Sequence, residues 1–450
     1  MSYSQWIEEV DRRLAALLRE EARLSYLADA TGVFDERGLE KVSSQRIELL
    51  ARDETVSKAR LASLECRDAR IRRMARLLEH TALLSRINDA PELVRLRNEL
   101  EGAQRRCAGT LHTAAGLEAY LSKTEPLARE RLKVSNELAR SNGFEDYPEA
   151  VLTCQEWSRG ALLEMIEGLL ARHAHLAHAV VREANPSCLS PQHVEAAAHR
   201  RLAFADEAFP ASRIERVAAD TLGEFDVSLA GFGITLEEAD LPYAGAVHVL
   251  SVGEDIRIVI NGRRDGFRRY SLFFHELGHA LYYAYAPKEA LLIDNRIARE
   301  GLAEMWAGLI ERRQWLARYT PLGASEIDAL VENARRSRAC VLVSRAREVL
   351  FEMELYANPA ADFAEVWDRM TTRCLGLKDD SRLYSEFVFL WPLDIKDYVI
   401  ADCIKNTLIA RLEARFGADL HAPRVMDCLV STFYRPGNML PWRRMLDGDD

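Results

Sequence analysis

From Ser4 to about residue 200 the chain repeats apolar residues at three- and four-residue spacing, and almost nothing in that stretch can end a helix. Ser4–Ala30, "SQWIEEVDRRLAALLREEARLSYLADA", sets the pattern, and Ile71–Leu84 and Glu92–Leu100 continue it. Such spacing puts apolar side chains on one face of an α-helix and charges on the other. "DAPE" (Asp89–Glu92) starts a helix with Pro in its first turn, and "SNGFEDYPEA" (Ser141–Ala150) reads as a loop between two helices. No internal repeat or low-complexity linker interrupts the series. Residues 1–205 are therefore expected as a helical half with no chemistry of its own, able to form a wall or lid of a cleft.

The texture changes near Asp206. After a helical stretch (Ala211–Glu224) come three short segments rich in β-branched residues: Phe232–Glu238, Ala246–Leu250 and Asp255–Asn261. The last alternates Ile256, Ile258 and Ile260 with Arg257, Val259 and Asn261, as a strand with one buried face should. Helical periodicity then resumes to the end, broken at "ANPAAD" (Ala357–Asp362) and "LWPLDIKD" (Leu390–Asp397). Residues 206–450 are thus expected as a second half, mainly α, with one small sheet just before a helix that carries unusual residues.

That helix is Ser271–Tyr283, "SLFFHELGHALYY". Residues four apart project from one helical face, one turn apart. His275 and His279 can therefore bind one tetrahedral cation, for which zinc suits imidazole nitrogen. Glu276 leans beside such an ion and is placed to take a proton from water there and pass it to a leaving amine. This is the H-E-x-x-H arrangement of zinc peptidases. The bland alternative is a pair of satisfied core histidines with an exposed Glu. Gly278, unfavourable in a helix by about 1 kcal/mol against Ala, makes sense if another element approaches closely.

A third protein ligand is needed. Asn295–Arg313, "NRIAREGLAEMWAGLIERR", offers Glu300 and Glu304 on one face. Glu304 sits among Leu302, Ala303, Met305, Trp306 and Leu309, and an inward carboxylate needs a cation or full hydrogen bonding. Glu304 is the expected ligand. Glu300 is left as an acceptor for a ligand histidine, or as a surface partner of Arg296 or Arg299.

"FFHELGHALYY", followed by a glutamate within "EGLAEMWAG", resembles the thimet-oligopeptidase and oligoendopeptidase F group of zinc peptidases, of the gluzincin type. The likeness extends over about Arg131 to Arg411, through "RLKVSNELARSNGFEDYPEAVL", "AGAVHVLSVGEDIRIVIN" and "VLFEMELYANPAADFAEVWDRM". It implies a mainly helical fold, two halves around a deep channel with a small sheet beside the H-E-x-x-H helix. It also implies one zinc ion per chain and short unstructured peptides as substrates. The strand Asp255–Asn261 resembles the edge strand along which these enzymes lay a peptide backbone, which makes Arg257 and the neighbouring His248 substrate-side candidates; His248 could equally point into the sheet. Tyr398 falls where the group carries oxyanion-donating tyrosines. The histidine usual before it is replaced by the Trp391–Lys396 region, and the nearest other tyrosine is Tyr384. Those departures keep two rivals open: a peptidase dedicated to one peptide or modified substrate, and a non-catalytic peptide-binding relative.

The charge of −10 argues against a nucleic-acid partner. No run of about 18 uncharged apolar residues suggests a membrane span. The N-terminus does not read as a secretory signal. Eight scattered cysteines, with no CxxC pair, fit reduced thiols and a cytoplasmic location. A second copy of the chain is a conceivable partner where the cleft needs closing.

Overall fold

The structure, a computed structural model, describes residues 2–107, 114–185, 189–263, 266–293, 295–379, 382 and 390–447. The N-terminal periodicity becomes α1 (Tyr3–Thr31), α2 (Glu36–Leu50), α3 (Asp53–Glu65), α4 (Ala69–Asn88), α5 (Pro91–Cys107), α6 (Ala114–Ser141), α7 (Tyr147–Cys154), α8 (Arg159–Ala184) and α9 (Pro191–Arg200). Local chemistry sets many of their starts. Ser2, Asp68, Asp146, Ser158 and Ser190 each accept a hydrogen bond from a backbone N–H of the first turn, satisfying donors that the helix itself leaves free. The loop expected between Ser141 and Ala150 is shorter than its sequence signal, because Asp146 caps α7 and Pro148 fits its first turn.

Next come α10 (Ile214–Gly223), β1 (Ile234–Ala239), β2 (Gly245–Ser251), β3 (Asp255–Asn261), α11 (Gly266–Tyr285), α12 (Ala290–Ile293), α13 (Arg296–Leu309), α14 (Arg313–Tyr319), α15 (Ala324–Ala357), α16 (Phe363–Leu375) and α17 (Ile395–Phe416). The fold is mainly helical with one small sheet beside α11, as the sequence indicates. No described helix is long and apolar enough to cross a membrane.

The sheet corrects one expectation. Its order is β1-β3-β2, with β3 parallel to β1 and antiparallel to β2. The strand expected at the edge, Asp255–Asn261, is therefore central, and its N–H and C=O groups are paired on both sides. Ile256, Ile258 and Ile260 enter the same apolar cluster as Phe273 and Leu277 of α11. The opposite face, carrying His248 and Arg257, is covered by α1. There the Tyr26 hydroxyl donates to Glu237 at 2.9 Å and accepts from Arg257 Nη1 at 2.9 Å.

Apolar packing does not stop at residue 205. One cluster joins the sheet to α10, α11, α13, α14 and α17, together with Ile327, Leu330 and Ala334 of α15. A second draws on residues from Ile87 to Ala198 and on Cys340–Tyr356, the later turns of the same helix α15. A polar clamp adds to this. Arg73 of α4 pairs with Glu156 and donates to Asn438 O at 2.6 Å, while Trp442 Nε1 donates to Gln155 O at 2.9 Å.

Candidate metal centre

The helix that carries the motif is held at both ends of its first half. Gly266 has φ +66°, and Asp206 lies where a side chain would go. Asp206 Oδ1 accepts from Phe267 N at 3.0 Å, so a short 3-10 turn far upstream in sequence (Ala203–Ala208) caps α11. Four residues on from Phe274 the helix meets α13: a Cβ on Gly278 would stand 2.6 Å from Ala303 Cα. The close approach inferred from this glycine is an actual backbone contact. It places His275 and His279 directly beside the turn that bears Glu300.

Three donor atoms converge there. The Nε2 atoms of His275 and His279 are 3.1 Å apart, and Glu300 Oε2 lies 3.5 Å from each. Ligands about 2.0–2.1 Å from one tetrahedral ion are separated by about 3.3 Å, so this triangle fits a single metal ion. Glu300 is buried and its Oε2 makes no hydrogen bond among the described residues, an arrangement that is costly unless a cation sits against it. Burial would raise the Glu300 carboxyl, yet the two imidazoles hold it well below the usual range. In the metal-free chain burial pushes His275 down, but Glu300, Glu304 and Glu276 outweigh it and raise the imidazole to about 9. The cluster draws a positive charge to itself.

Glu300, rather than Glu304, lies beside the converging imidazole nitrogens. Glu304 Oε1 is 3.5 Å from Nδ1 of His275, the nitrogen on the far side of the ring from the converging atoms. The group able to hold a metal is His275, His279 and Glu300. Both glutamates face inward, so their apolar neighbours do not separate them. The Gly278–Ala303 contact does, because it sets which turn of α13 lies beside the imidazoles.

Glu276 is buried. Its Cγ would be 3.3 Å from a Cβ on Gly245, the first residue of β2, so a glycine at the start of this edge strand makes room for it. Tyr398, near the start of α17, is half-buried and hydrogen-bonds with nothing among the described residues. Burial, and then the charge of Glu300, push its hydroxyl up to about 12, so it remains a donor at neutral pH.

His248 and Arg257 do not reach this centre. They lie on the sheet face turned to α1, where His248 Nε2 is 2.9 Å from Asp29 Oδ2 and Arg257 pairs with Asp255 and Tyr26. Strand alternation explains it: the face that packs on α11 carries the isoleucines, so their neighbours point the other way. Tyr384 lies outside the described residues.

Two arginines of α15 went unread in the sequence. Arg345 lies over the Tyr398 ring, 5.0 Å from its centroid, and forms no ion pair among the described residues. Arg338, seven positions earlier and so on the same helical face, meets Glu304 at 3.1 Å. That spacing was the available signal, but it cannot reveal what the face looks onto.

The chain is similar in structure to a Pyrococcus furiosus carboxypeptidase (apo-Mg), with a TM-score of 0.74 and 17% identity over 100% of this chain and 96% of that one. It is also similar to a protein designated CHT, with a TM-score of 0.67 and 13% identity over 99% of this chain and 96% of that one. No protein-family model matches the chain, and no curated protein does. At these identities the likeness concerns the fold: this chain adopts, over its whole length, the mainly helical architecture of that carboxypeptidase.

Proposed function

We propose that the protein is a metal-dependent peptidase, with one zinc ion held by His275, His279 and Glu300, that hydrolyses short unstructured peptides. The observation that carries this reading is the meeting of two imidazole nitrogens and a buried, otherwise unbonded carboxylate oxygen, with Glu276 next in the chain. When bound, the cation supplies a Lewis acid for the scissile carbonyl and lowers the pKa of water. Glu276 takes the proton of the attacking water and returns it to the departing amine. Tyr398 donates its hydroxyl proton toward the oxygen that becomes negative. The outer edge of β2, close to Glu276, is where an extended peptide backbone would pair.

The test is Glu276→Gln. It is expected to bind zinc within about twofold of the parent while peptide hydrolysis falls by about 10²–10⁴-fold. Hydrolysis at the parent rate would remove Glu276 from the chemistry. Protein purified without chelator should carry about one zinc per chain.

Arg345 favours a second, narrower reading: removal of residues from the C-terminal end of peptides, the activity named for the structural neighbour. A guanidinium beside Tyr398, in no ion pair among the described residues, suits a substrate's terminal carboxylate. Peptides amidated at the C-terminus separate the two. Unchanged turnover supports internal cleavage, and loss of turnover supports trimming from the end.

A further inference from the structure

We propose that Arg338 is a positioning residue for the metal centre: it fixes Glu304 against the outer nitrogen of His275 and so sets how tightly the three donors hold a cation. This rests on the reading of His275, His279 and Glu300 as a metal site, and concerns a side chain outside the motif.

Arg338 enters from α15 and spans three carboxylates. Its Nη1 is 3.1 Å from Glu304 Oε2 and 3.4 Å from Asp402 Oδ1, and its Nη2 is 2.5 Å from Glu311 Oε1. On the far side, Lys405 pairs with Asp402, and Asn406 Nδ2 donates to Asp402 Oδ2 at 2.9 Å. A planar fork of five donors can serve three acids at once, which a lysine ammonium on one stem cannot do with fixed geometry. The group therefore has three carboxylates and two cations. One negative charge is in excess, and the Glu304 oxygen that Arg338 leaves free is the one 3.5 Å from His275 Nδ1.

An imidazole that binds a metal through one nitrogen is aimed, and made more basic, by a carboxylate at the other. His279 lacks this support: its Nδ1 is buried and has no hydrogen-bond partner among the described residues. Orientation of the pair thus falls to Glu304. Without Arg338, Glu304 would keep no cation within ion-pair distance: Lys405, already committed to Asp402, and Arg345 act on it only from farther away. The carboxylate would turn from the imidazole.

Zinc affinity of the metal-free full chain, measured by competition with a chromophoric chelator, tests this in Glu304→Gln, Arg338→Met and the double variant, with the thermal midpoint of each metal-free protein alongside. Each single change is expected to weaken zinc binding by about 10–100-fold. The double variant should be no weaker than the weaker single, because Arg338 acts through Glu304. A purely structural arginine would lower the midpoint and leave the affinity of the folded protein within twofold, which overturns the proposal, as does additive loss in the double variant. Should Arg338→Met not fold, Glu304→Asp keeps the charge but shortens its reach: about tenfold weaker binding supports the proposal and parent-like binding overturns it. Failure of the parent chain to bind zinc would instead overturn the metal-site reading itself.

Discussion

Asp402 stands at the outer end of the charged group behind His275, and it gives that group a defined response to acid. Burial would raise its carboxyl, but Lys405 and Arg338 hold it at about 2, below its ordinary 3.8. A carboxylate depressed in the folded state contributes stability that is complete above its unfolded pKa and is lost as pH falls through the folded one. The window is therefore about pH 4 down to about 2, and the contribution is of order 2 kcal/mol. Asp402→Asn should flatten the urea-unfolding free energy across that window relative to the parent; equal slopes would show that Asp402 is not linked to acid unfolding. Tyr398→Phe belongs to the same scale. Hydrolysis should fall by about 10²-fold through kcat with zinc affinity unchanged, and an effect confined to KM would assign Tyr398 to binding alone. The convergence of His275 and His279 was legible because a four-residue spacing on a helix already brings two side chains together. The choice between Glu300 and Glu304 was not, since both face inward and a one-turn difference depends on where α11 touches α13.

Gly278 decides that touch. In a lone helix, alanine there would help by about 1 kcal/mol. Here its Cβ would lie 2.6 Å from the Ala303 backbone, so α11 and α13 must part. Gly278→Ala is expected to destabilise the fold by about 1–3 kcal/mol and to weaken zinc binding at the same time, read by thermal unfolding and chelator competition. A more stable variant with parent affinity would mean that the helices are not in backbone contact. The element pattern was mostly readable: β3 was placed at Asp255–Asn261 as observed, and the breaks near 357 and 390 fall between helices. What periodicity could not show was the partner on each side. Arg257 read as a substrate-side residue of a strand with one buried face, whereas Tyr26, far away in sequence, lies across it.

At the scale of the whole molecule, a polar clamp ties α4 and the turn at Glu156 to the C-terminal segment. Arg73 is mostly buried and meets Glu156 and both Asn438 oxygens. Arg73→Ala would leave Glu156 without its cation at a residue of positive φ, 60°, and is expected to cost about 3 kcal/mol, measured as a shift in urea midpoint. A shift near zero would show that the segment is held by Trp442 and apolar packing alone. The two halves drawn from composition and texture do share a core through α15, a long-range pairing that leaves no local trace in sequence. One consequence follows from the Gly278–Ala303 contact. Because every donor stands on two helices whose main chains abut, they travel as one rigid unit. Movement of the N-terminal helices would then leave the spacing of His275, His279 and Glu300 unchanged.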